Sequence, residues 1–136
     1  MVGVLILTHG PLADELLEAA ATVHGLEASG MQALCLDWDV SPEEAIATLR
    51  RACDQAAGSG GLLILTDMYG GTPHNVARQL TEAGSLEVVT GVNLPMVVRL
   101  CCRNRDERPL AELVEWIVAK GRASICRSPG ADGDRG

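Results

Sequence analysis

Two stretches of this chain, VGVLILT at 2–8 and LLILT at 62–66, are apolar without interruption up to a closing threonine. A strand with one face in water alternates apolar and polar residues. A short unbroken run instead reads as a strand buried on both faces, which is the habit of parallel sheets covered by helices on each side. The stretches between fit that reading. After Gly10 and Pro11, apolar residues fall at Leu12, Leu16, Ala19, Ala20 and Val23, the helical period. Gly25 and Gly30 bracket a loop, and Met31 to Leu36 reads as a second strand. Ser41-Pro42-Glu43-Glu44 is a helix start, with a capping serine, a proline at the first helical position and the glutamate of a capping box. Ile46, Leu49 and Cys53 give that helix its buried face, and Gly58-Ser59-Gly60-Gly61 ends it. Thr72-Pro73 opens a further helix by the same logic, with Thr72 as the expected cap. Leu86 to Thr90 reads as a fourth strand, Met96 to Cys102 as a helix after Gly91–Pro95, and Pro109 as the start of the last helix. Gly121 is expected to end that helix and act as a hinge before a short strand at Ala123–Cys126. The residues from Ser128 are Gly, Asp, Ser and Pro, and are expected to form a disordered tail at 128–136.

Strands alternating with helices predict a three-layer α/β fold with a mostly parallel sheet and helices on both faces. The 136 residues make one domain, expected over 1–127, and 47% of them are apolar. Phe is absent and only two Trp and one Tyr occur, so the core is aliphatic. The net charge of −7 argues against wrapping nucleic acid, where a basic face replaces counterions. It equally argues against an anionic membrane surface, and it suits a basic protein partner. No apolar stretch approaches the length of a membrane span, and the first apolar run lacks the basic start of a secretory signal. The five cysteines, Cys35, Cys53, Cys101, Cys102 and Cys126, are odd in number and form no C-x-x-C. They read as reduced thiols packed as small hydrophobes, in keeping with a cytoplasmic location.

Open parallel sheets carry their sites beyond the carboxyl ends of the strands. That rule selects His9 after the first strand, Thr66 and Asp67 at the end of the third, and Gly91 and Asn93 after the fourth. A carboxylate on one nitrogen of an imidazole fixes the tautomer and leaves the other nitrogen as a nucleophile. If the first and third strands are neighbours, Asp67 can do this for His9. Gly70-Gly71-Thr72-Pro73 adds a loop whose glycines allow close backbone approach and whose helix start presents free N–H groups to an anion. A phosphoryl group on His9 would find donors there. Each part alone has an ordinary reading, as turn residue, cap or tight turn. His24 and His74 read as surface residues. The G-x-x-x-x-G-K-[ST], G-x-G-x-x-G and G-x-S-x-G patterns are absent.

Taken together, VLILTHG at 4–10, ILTDMYGGTPHNVA at 64–77 and TGVNLPM at 90–96 resemble the mannose-type enzyme IIA domains of the bacterial phosphoenolpyruvate-dependent phosphotransferase system. The resemblance runs from residue 2 to about 127. It implies that His9 is the phosphorylated residue, that Asp67 bonds its ring, and that the phosphate lies near Thr66, Gly70, Gly71 and Thr72. It implies a phosphoryl donor, the small histidine-containing phosphocarrier protein, and an acceptor, an enzyme IIB domain serving a sugar permease. It also implies a homodimer in which a C-terminal antiparallel strand, here Ala123–Arg127, is exchanged between subunits. Thr72 stands for the usual serine, His74 for a common phenylalanine, and Met68 where some members carry a hydroxyl. No metal and no cofactor is expected, because loop amides and hydroxyls suffice to hold the anion. Two alternatives stand beside this reading. One is a regulatory phosphohistidine relay without sugar transport. The other is a metal-dependent hydrolase using His9, Asp67 and His74.

Overall fold

A computed structural model describes residues 1–24, 30–101 and 108–132. Its elements alternate: β1 (Gly3–His9), α1 (Leu12–His24), β2 (Met31–Leu36), α2 (Pro42–Ala56), β3 (Leu62–Thr66), α3 (Thr72–Arg78), β4 (Leu86–Thr90), α4 (Leu94–Leu100) and α5 (Leu110–Ala123). The four strands form one parallel sheet in the order β2-β1-β3-β4. The three-layer α/β arrangement is the one expected.

The unbroken apolar runs are explained by burial on both sides. Val4 and Ile6 of β1, with Leu63 and Leu65 of β3, pack under α1, α4 and α5 against Ala13, Ala20, Val97, Leu100, Leu113 and Ile117. Leu5 and Leu7, with Leu62 and Ile64, face the other way, onto Ala45, Leu49 and Cys53 of α2 and Val76 and Ala77 of α3. The start of α2 forms as its sequence predicts, with Ser41 Oγ accepting from the Glu44 N–H at 3.2 Å. Burial pushes the thiols of Cys35 and Cys53 up, so they remain protonated.

The layers meet most closely where β1 begins. A side chain at Gly3 would lie 1.8 Å from the Ala56 carbonyl oxygen at the end of α2. Gly3→Ala should therefore cost about 3 kcal/mol and lower the midpoint of thermal unfolding by roughly 10 °C. An unchanged midpoint by circular dichroism would mean that β1 and α2 can separate freely.

The connections fix where a site can form. From β1 the chain passes through α1 on one face to β2; from β3 it passes through α3 on the opposite face to β4. The loops leaving β1 and β3 thus diverge, and a crevice opens at their carboxyl ends. The register sets Leu7 opposite Thr66, which puts His9 and Asp67 at its two lips.

Several details differ from expectation. Helix α3 is capped by Gly71, without a side-chain cap bond, and Thr72 is its first residue. Helix α4 begins at Leu94, earlier than Met96, because Asn93 Oδ1 caps it by accepting from the Met96 N–H at 3.1 Å. Gly121 does not end α5. It lies inside the helix, where the absence of a side chain admits Met96, and the helix runs on to Ala123. Residues 124–127 form no strand within the chain, and Ile125 is exposed. The expected loop at 25–29, Cys102 and the last part of the tail, 133–136, lie outside the described residues.

Candidate active site

His9 stands at the last position of β1 and Asp67 directly follows β3. The carboxylate reaches the histidine twice. Asp67 Oδ2 accepts from the His9 main-chain N–H at 2.9 Å and lies 2.8 Å from ring Nδ1. Asp67 Oδ1 accepts from the Met68 N–H at 3.0 Å, so both oxygens are fixed. An ionised carboxylate only accepts, so in the neutral imidazole the proton sits on Nδ1 and the lone pair of Nε2 is left free. The two side chains are mostly covered, 14% and 12% exposed, and water weakens the pairing little.

The opposite edge of the ring meets the glycine loop. A side chain at Gly71 would lie 2.5 Å from His9 Cε1 and 2.9 Å from Nε2. The unprotonated nitrogen therefore lies beside the Gly71 backbone. Gly71 and Thr72, as cap and first residue of α3, carry N–H groups that have no acceptor inside the helix. Gly70 adopts φ of +89°. Its N–H donates to His74 Nδ1 at 2.8 Å and its carbonyl accepts from Asn75 Nδ2 at 3.2 Å. The Gly70 amide is thus committed within the loop. The hydroxyl of Thr66 is fully buried and has no hydrogen-bond partner among the described residues.

The geometry brings His9, Asp67 and Gly71 together. Asn93 is used elsewhere: besides capping α4, its Nδ2 donates to the Gly121 carbonyl at 3.2 Å and to Ser124 Oγ at 3.1 Å, tying down the end of α5. His74, expected at the surface, is buried and holds the loop through Gly70. Counting back one turn from the apolar pair Val76–Ala77 places Pro73 and His74 on the buried face. Trp38 belongs to none of the sequence motifs, yet its indole stacks on the His9 imidazole, with centroids 4.6 Å apart and planes 17° from parallel. Its one sequence signal is its place two residues beyond β2, whose last residue, Leu36, is the register partner of His9. Among the described residues, no group of three His, Cys, Asp or Glu side chains could hold a metal ion.

A histidine held by a carboxylate at the switch point of an open parallel sheet is the candidate site of this small α/β protein. The chain belongs to the EIIA-man family, described as the PTS system fructose IIA component, whose model matches residues 3–118. It is 31% identical over 130 residues to the mannose-specific EIIAB component of the phosphotransferase system of Escherichia coli (strain K12), covering 91% of this chain and 38% of that protein. The chain thus spans well under half the length of that relative. It is 28% identical to the fructose-specific EIIA component of Bacillus subtilis (strain 168), with 92% of this chain and 85% of that protein covered. The fold matches the mannose/sorbose-specific IIA subunit of Enterococcus faecalis, with a TM-score of 0.83 at 23% identity, covering 94% of this chain and 95% of the other.

Proposed function

We propose that this IIA component is a phosphoryl carrier whose covalent site is Nε2 of His9. The observation that carries the reading is the pairing of Nδ1 with Asp67 while the Nε2 edge lies beside Gly71. In the loading step the Nε2 lone pair forms a new P–N bond. The donor's bond to phosphorus breaks, and its electron pair leaves with the donor. His9 keeps its Nδ1 proton, so the ring gains a positive charge that the Asp67 carboxylate balances. The amides of Gly71 and Thr72 and the hydroxyls of Thr72 and Thr66 are the groups assigned to the phosphoryl oxygens. Unloading is the reverse, with an enzyme IIB domain as acceptor and the histidine-containing phosphocarrier protein as donor. Protein partners suit the surroundings, since Trp38, Met68 and Tyr69 are exposed beside the site. The carrier is assigned to the cytoplasm, and among the described residues no helix is long and apolar enough to cross a membrane. The test is incubation with phosphoenolpyruvate, enzyme I and the phosphocarrier protein, then mass mapping. One phosphoryl group on the His9 peptide is expected; label on His24 or His74 instead would end the proposal.

We also assign a homodimer to this chain, formed through Ala123–Arg127. The outer edge of β4 has no partner strand among the described residues, and such an edge invites pairing. Ile125 is exposed just beyond α5, beside a cavity of about 160 Å³ that the end of β4 also lines. Exchange of a C-terminal strand would cover both edge and side chain. Because Ser124 anchors α5 to Asn93, truncation after Ser124 leaves the helix intact. That shorter chain should scatter light as a monomer, whereas one ending at Ser128 should remain a dimer. A dimer from both would place the interface elsewhere.

A further inference from the structure

Trp38 is 78% exposed, unusual for the side chain with the largest apolar surface, and it gains no core burial in return. Its position is nevertheless built. The Gly10 N–H donates to the Leu36 carbonyl at 2.8 Å, which ties the loop after His9 to the end of β2. The Val40 N–H donates to the Asp37 carbonyl at 3.2 Å and closes the turn that carries Trp38. Gly10 supplies room: a side chain there would meet the indole Nε1 at 3.2 Å. The indole is thereby laid flat on the imidazole.

Asp67 and the Gly71 backbone meet the ring at its edges, and edge contacts alone allow it to rock about the line through Nδ1. A flat partner on the ring face removes that freedom. It does so without obstructing the chemistry, because the Nε2 lone pair lies in the ring plane and the indole lies above it. We propose that Trp38 is a positioning residue for phosphoryl transfer, holding the His9 imidazole in the plane that directs Nε2 along the Gly71 loop. The role has a second part. A ring bearing both the Nδ1 proton and a phosphoryl group on Nε2 is cationic, and the face of an indole attracts a cation. Trp38 thus favours the loaded over the empty state. This rests on the phosphocarrier reading of His9.

The experiment uses two phosphoryl donors. Inorganic phosphoramidate transfers its phosphoryl group to Nε2 and releases ammonia, with the pair of its broken P–N bond, and it makes no protein interface. With this donor Trp38→Ala should load about three- to tenfold more slowly than wild type, and Trp38→Phe should recover most of the loss. The phosphocarrier protein should show the same ordering. Thermal midpoints should agree among the three proteins, since the side chain is exposed. By NMR the His9 ring protons of the unloaded wild type should lie upfield, under the indole ring current, and move downfield in Trp38→Ala. Wild-type loading of Trp38→Ala by phosphoramidate would overturn the proposal, even if the protein donor were slowed, because Trp38 would then serve docking alone. Unchanged His9 ring shifts would overturn it as well. A wild-type chain that neither donor labels on His9 is a different result: it removes the carrier reading itself, and the role of Trp38 falls with it.

Discussion

His9→Ala should yield a folded protein that takes up no phosphoryl group from any donor. The side chain lies at the end of β1 and contributes little to either apolar layer, so the unfolding transition should shift only slightly. Phosphoryl transfer should fall below detection, because no neighbouring group can substitute. His74 has its Nδ1 engaged by the Gly70 N–H and is buried. The thiols of Cys35 and Cys53 are held protonated by burial, and it is the thiolate that attacks. In the wild type the bond should behave as a phosphoramidate, lost in acid and kept in alkali. Label that persists in His9→Ala, or that survives acid, would assign the nucleophile to another residue.

Asp67→Asn should preserve the fold and reduce transfer by about 10²–10⁴-fold, on the scale of losing the orienting carboxylate in other histidine sites. The reason lies in the number of donors that Asp67 serves. Its two oxygens accept from three N–H groups: the main chain of His9, Nδ1 of His9 and the main chain of Met68. An amide offers one oxygen and one NH2. If the oxygen faces His9, the NH2 confronts the Met68 N–H. If it faces Met68, the NH2 confronts the His9 N–H and pushes the ring proton to Nε2, which removes the nucleophilic lone pair. Initial rates with one donor decide the matter. A variant within threefold of wild type would show that Asp67 does not orient the ring, and a collapse in stability would show that it mainly joins β1 to β3.

The sheet was legible because burial leaves a plain mark. Strands sandwiched between two helical layers carry few polar residues, so VGVLILT and LLILT stand out as blocks, and their order with the helices gives the layers. Strand ends then point to His9 and Asp67, and β1 lying beside β3 brings them within hydrogen-bonding distance. What was less legible depends on tertiary neighbours. Gly121 reads as a helix end in sequence, but is a point where α5 admits the Met96 side chain. His74 reads as polar and hence exposed, until the loop that needs its Nδ1 is seen. Asn93 sits at a strand end like Asp67, yet its amide is spent on two helices. Trp38 escapes because an exposed aromatic in a polar loop has no periodicity to betray it, and its stacking partner is distant in sequence.

Gly70 and Gly71 stand together in the sequence and read as a single turn signal, but they answer to different demands. Around Gly70 there is open space for a side chain, while its backbone adopts a handedness that L-residues resist. At Gly71 the backbone is ordinary and extended, while the space is already taken by the imidazole. One position is constrained by chirality and the other by volume. A residue tolerant of left-handed backbone, such as asparagine, is therefore a reasonable replacement at the first and an unsuitable one at the second. Two identical letters thus carry separate instructions, one for how the loop turns and one for how near it comes.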